Sequence, residues 1–198
     1  MLMFALLVIL AFRFAFGDGD VKPNQISSIM WSTFLFTGLF ALFNSFSREK
    51  DTQCLEGLLL CPGDRGGIYL GKMISTLIQI YVVELFGVAM MEIFFQFEFL
   101  THVFPLLVIL FIGSIALVSA GTIISAISVS ADNRELVLPI LFIPLVLLTV
   151  VVPVVSTTSG VLSGDPLSLY SDYLELLVGF SVIYIALALI LFDEVIVR

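Results

Sequence analysis

Charge is scarce in this chain, and histidine and cysteine are nearly missing. Of its 198 residues only 12% are charged, while 60% are apolar or aromatic, against about 25% and 45–50% in an ordinary soluble domain. Mean hydropathy is +1.19. A soluble fold of this size cannot hide so much apolar surface, so a water-soluble enzyme is excluded. Two cysteines, Cys54 and Cys61, and the single His102 cannot build the usual four-ligand Cys/His metal centre. The cysteines read as packing residues, and His102 reads as an interfacial side chain before a metal or haem ligand. A net charge of −8 leaves no basic footprint, which excludes nucleic acid as a partner. No Gly-x-x-x-x-Gly-Lys-Ser/Thr loop, Gly-x-Ser-x-Gly elbow or His-Glu-x-x-His pair occurs, so no catalytic residues and no nucleotide site are expected in this chain.

What the chain has instead is long apolar runs. A bilayer core about 30 Å thick needs about 20 apolar residues in helix. Six stretches meet or approach that length, at 1–16, 26–47, 68–96, 101–128, 135–157 and 173–192. Runs this continuous exclude the alternating pattern of a membrane β-barrel. The expected fold is therefore an all-α integral membrane protein, one domain over 1–198, with no internal repeat. Nineteen phenylalanines beside one tryptophan suit a surface that faces lipid. The first stretch is short and carries Arg13 near its end. Nothing basic precedes it, and Phe14 and Phe16 stand where a signal peptidase would need small residues. It reads as a span whose cytoplasmic beginning is missing.

Sidedness follows from the basic residues. With the N-terminus inside, Arg48, Lys50, Arg65, Lys72, Arg134 and Arg198 are cytoplasmic, leaving Lys22 outside and Arg13 near that face. Asp18, Asp20, Glu98, Asp165 and Asp172 then lie in the external loops. Six spans with both termini inside is the expectation.

One connection is long. Residues 48–66 form a cytoplasmic excursion in which Cys54, Leu55, Leu58 and Leu59 share one face of a helix, with Gln53 and Glu56 opposite. Pro62 and Gly63 end it, and Asp64 to Gly67 make a turn into the next span. A short amphipathic helix at the membrane surface is predicted.

Within the third stretch stand Glu84 and Glu92. Ionisable side chains inside a membrane are costly and are functional candidates by default. Eight residues apart, they lie roughly 80° apart around a helix and can face one neighbour. The competing expectation makes Glu84 neutral, or bonded to a Ser or Thr of an adjacent helix, and has Glu92 wetted by headgroups. The fourth stretch is rich in small residues, with Ala116/Ala120 and Gly121/Ser125 as small-xxx-small pairs that allow close helix approach. Pro139, Pro144 and Pro153 predict bends in the fifth.

The string Leu55-Glu56-Gly57-Leu58-Leu59-Leu60, Pro62, Arg65 and Ile68-Tyr69-Leu70-Gly71-Lys72, preceded by Trp31 to Phe46 and Arg48-Glu49, resembles the cytochrome c maturation permease family, also called haem exporter protein B. The six-span layout extends the resemblance over nearly the whole chain. Members usually begin with a basic segment before the first span, which this chain does not show. The resemblance implies an ABC-2-type permease subunit that borrows ATP hydrolysis from a separate ATPase. It implies that the segment 48–66 docks in a groove of that ATPase, with Leu55, Glu56, Gly57, Leu58, Leu59, Pro62 and Arg65 as coupling residues; Leu55, Leu58 and Leu59 suit an apolar anchor, and Glu56, Asp64 and Arg65 charged contacts at the rim. Further implied partners are a haem-handling membrane subunit and a periplasmic haem chaperone, in a hetero-oligomer with haem as cargo rather than resident cofactor. The implied location is a bacterial plasma membrane, or the inner membrane of an organelle that retains the pathway. Two other functions share this architecture: a generic ABC-2 exporter of lipid, polysaccharide or drug, and a non-energised assembly scaffold.

Overall fold

Inside a bilayer every backbone N–H and C=O must find its partner within the protein, and apolar runs of this length satisfy them as helices. The computed structural model describes residues 1–17, 21–51, 65–97, 99–129 and 134–195. Among these there are helices and turns but no strands. The helices are α1 (Leu2–Phe16), α2 (Pro23–Asp51), α3 (Arg65–Phe95), α4 (Val103–Val129), α5 (Arg134–Val146), α6 (Val152–Leu162) and α7 (Ser171–Val195). A π-helical turn, Leu147–Val151, joins α5 to α6. Short 3-10 turns, Phe99–His102 and Leu167–Tyr170, precede α4 and α7. Five stretches are long and apolar enough to cross a membrane: Pro23–Phe43, Tyr69–Phe95, Val103–Ser125, Leu136–Leu162 and Leu167–Ile190. The first stretch forms a shorter apolar helix, α1, of 15 residues.

The small residues of α4 decide where the centre lies. Gly113, Ser114, Ala116, Ser119, Ala120, Gly121 and Ser125 are all buried, and α4 packs on α2, α3, α5, α6 and α7. A Cβ on Gly121 would stand 2.2 Å from Leu42 of α2 and 3.0 Å from Phe142 of α5. Glycine there lets three backbones converge. Accordingly 67% of the apolar stretch of α2 and 56% of that of α4 are buried, against 22% for the last helix. So α2 and α4 form the core, and α7 shows most of its surface to lipid. Exposed Leu176, Val182, Ile183 and Ile190 on α7 fit that position.

Trp31 is the largest side chain of the core and is fully buried. Its indole N–H donates to the hydroxyl of Thr158 at 2.9 Å, tying α2 to α6. Ser125 of α4 donates to the Leu42 carbonyl of α2 at 3.0 Å. Hydrogen bonds between membrane helices contribute about 0.6 kcal/mol on average. Ser125→Ala is expected to lower stability by about that amount, read from equilibrium unfolding in mixed micelles. A loss several times larger would mean that the hydroxyl supports more than this one contact.

The fifth stretch is longer than its hydropathy suggests. Helical backbone continues through the hydroxyl-rich Ser156 to Gly160 as far as Leu162, five residues beyond the expected end at 157. The hydroxyls bond back to their own helix, Ser156 to the Val152 carbonyl at 2.9 Å and Thr157 to that of Pro153 at 2.8 Å. They are thus satisfied without leaving the helix. Pro153 lacks an N–H, and its ring would collide with the carbonyl four residues earlier in regular helix. The turn before it widens, and the Val152 N–H bonds to the Leu147 carbonyl. Thr149 within this turn accepts the hydroxyl of Tyr184 from α7 at 3.1 Å, which pins the irregularity to the last helix.

Candidate functional site

Glu84 sits near the middle of the Tyr69–Phe95 span and is fully buried. Its Oε2 is hydrogen-bonded with Ser114 Oγ of α4, and the same Oγ lies 2.6 Å from the Leu110 carbonyl. Its other oxygen, Oε1, is buried and has no hydrogen-bond partner. Around it runs a narrow slot lined by Met1, Phe34, Thr37, Gly38, Ala41 and Ile80, among others. The slot is too tight for a water molecule. Thr37 directs its hydroxyl to the Thr33 carbonyl at 2.8 Å. A neutral acceptor without a partner costs about 1–3 kcal/mol. A buried carboxylate with one hydrogen bond and no cation costs several kcal/mol more.

Glycine and aromatic residues set the walls. A Cβ on Gly87, one turn beyond Glu84, would lie 2.7 Å from the ring of Phe34, so α2 presses directly on α3 at this depth. Phe34 meets the edge of Trp31 with ring centroids 5.7 Å apart, which links the slot to the α2–α6 contact. The helical offset leaves Glu92 half-buried and about 12 Å further along α3. The two carboxyls therefore occupy different surroundings: Glu84 alone is enclosed, and one polar cavity does not hold both.

Toward the start of α3 lies a second buried polar group that sequence reasoning passed over. Tyr69 is fully buried; its hydroxyl donates to the Ser119 carbonyl at 3.3 Å and lies 3.4 Å from the Thr122 hydroxyl, whose own hydrogen goes to the Val118 carbonyl. A tyrosine beginning a span, 50 residues ahead of the serine it meets, gives little signal of this pairing. Trp31 was equally silent, although one tryptophan deep in a helix rather than at its end departs from the usual interfacial preference.

The predicted ATPase-coupling residues Leu55, Glu56, Gly57, Leu58, Leu59 and Pro62 lie outside the described residues, as do both cysteines. Arg65 is the first residue of α3, which runs without a break for 31 residues to Phe95, so helix replaces the turn expected over residues 64–67 from Arg65 onward. Thus the same helix begins where the coupling segment ends and carries Glu84 about 28 Å further along. His102 closes the 3-10 turn ahead of α4 and is half-buried. Arg13, near the end of α1, lies over the ring of Phe95 at 6.0 Å from its centroid.

No match was found among curated proteins or solved structures. The family model described as CcmB protein matches residues 1–195, which takes in all seven helices and the segment between α2 and α3. With apolar helices suited to crossing a membrane several times and a family match over nearly its whole length, the chain belongs to the CcmB family, the haem exporter protein B of cytochrome c maturation.

Proposed function

We propose that this chain is the transmembrane permease subunit of an ABC-type complex for c-type cytochrome biogenesis, driven by ATP hydrolysis on a separate subunit. The observation that carries the reading is the unbroken α3. It starts at Arg65, at the end of the predicted coupling segment 48–66, and packs along the central helix α4. A helix of that kind moves as a rod, so displacement of its cytoplasmic end reaches the opposite face. On this reading α1 completes six spans with both termini inside, and Leu55, Leu58 and Leu59 anchor the segment in the ATPase. The partners are the ATPase, a haem-handling membrane subunit and a periplasmic haem chaperone, in a bacterial plasma membrane or an organellar inner membrane. With a single histidine in the chain, mechanical release of a haem-loaded chaperone suits it better than a ligated haem path through it.

Mass spectrometry of the complex isolated in mild detergent tests this. Recovery of an ABC ATPase together with a haem-handling membrane protein is expected. An ATPase with no haem-handling partner would point to an exporter of other cargo. If no ATPase is found even after crosslinking, the energised reading is refuted and a scaffold takes its place.

A further inference from the structure

We propose that Glu84 and Ser114 form a membrane-embedded proton-binding site, in which Glu84 holds a proton on Oε2 and donates it to Ser114 Oγ. A serine hydroxyl has one hydrogen to give and two lone pairs to receive with. Ser114 Oγ lies against two oxygens, Glu84 Oε2 and the Leu110 carbonyl. A backbone carbonyl can only accept, so the serine hydrogen belongs to Leu110. The contact with Oε2 then needs its hydrogen from the carboxyl.

The chain of donors Glu84 Oε2–H, Ser114 Oγ–H and the Leu110 carbonyl uses each hydrogen once. The opposite assignment makes one hydrogen serve two acceptors and leaves a charged carboxylate fully buried with Oε1 bare. Among the described residues no group is hydrogen-bonded to Oε1, the Met1 amino group at the slot included. Thr37 spends its hydrogen on its own helix, the other lining side chains are apolar, and the space admits no water. A buried ionised group without a partner takes up a proton instead of remaining charged. Among the acids whose side chains are described, Glu84 is the one that is fully buried.

The ligand is a proton, and its carboxyl lies where α3 packs against α2 and α4, with Met1 also lining the slot. The site is independent of the proposed ATP coupling, because it follows from the packing of these helices alone.

Infrared spectroscopy of the full chain in lipid vesicles at neutral pH provides the test. The native protein should absorb at the carbonyl stretch of a protonated carboxylic acid, and isotope-labelled glutamate should lower that frequency. Ser114→Ala should raise it, because Oε2–H loses its acceptor. In Glu84→Gln, whose amide can still donate to Ser114, the band should vanish. Lack of the band in the native protein, indifference to glutamate labelling, or persistence in Glu84→Gln would each overturn the assignment. Should Glu84→Gln not insert, labelling of the native chain and the Ser114→Ala shift still decide it.

Discussion

Gly113→Leu is expected to leave little folded protein in the membrane. A Cβ at Gly113 would stand 2.4 Å from Cη2 of Trp31 and 3.0 Å from Val154. The indole has no easy retreat, since its N–H is held by Thr158 and its ring meets Phe34 edge to face. Extra methyl groups forced into a packed core cost about 1–3 kcal/mol, sometimes more. Gly113→Ala should fall in that range, and the larger leucine should exceed it, a large part of the 5–15 kcal/mol that holds a typical fold. Thermal unfolding in mild detergent, read by loss of the monodisperse species, measures both. Gly179 of α7 supplies the control: a Cβ there meets nothing within 4 Å. Gly179→Ala should be neutral or stabilise by up to about 1 kcal/mol through helix propensity. Equal losses at the two positions would show that close approach to Trp31 is not what Gly113 provides.

Joint replacement of Leu58 and Leu59 by aspartate is expected to abolish association with the ATPase and reduce c-type cytochromes to background. Each leucine buried in a docking groove contributes roughly 1.5–3 kcal/mol. Losing two removes roughly two to four orders of magnitude in affinity. The introduced carboxylates would add a desolvation penalty. Both positions fall between the spans, so the amount of chain in the membrane should not change, and immunoblotting of the membrane fraction checks that. Arg65→Ala, at the rim, should weaken binding by no more than about 1 kcal/mol. Co-purification of the ATPase at normal stoichiometry with the double variant would rule out docking through this segment.

Apolar run length made the membrane class and the five long spans legible, because the bilayer imposes a length on sequence directly. The small residues from Gly113 to Ser125 marked α4 as a close-packing helix, and burial puts it at the centre. Glu84 stood out because a carboxyl in an apolar run has few innocuous explanations. A Ser or Thr partner on an adjacent helix was expected and is found in Ser114, but which residue it would be was not legible, since pairing across helices depends on rotation about both axes, which composition does not encode. The same is true of Trp31 with Thr158 and of Tyr69 with Ser119. The end of the fifth stretch was misplaced at 157 because hydropathy counts Ser156, Thr157 and Thr158 as polar, whereas back-bonding and burial neutralise that polarity. The prolines foretold irregular backbone, and the π turn between Pro144 and Pro153 is the form it took.

The hydroxyls of α2, α4 and α6 largely satisfy themselves on the preceding turn of their own helix. Such helices can enter the membrane singly as they leave the ribosome and find their neighbours afterwards. The helix α3 differs, because its mid-span carboxyl meets its hydrogen-bond partner on α4, 30 residues later in synthesis. Biosynthesis thus favours α3 and α4 entering together as a hairpin. A chain halted before Ser114 is made should lodge α3 poorly, even though its mean hydropathy of 1.8 matches the 1.7 of α2.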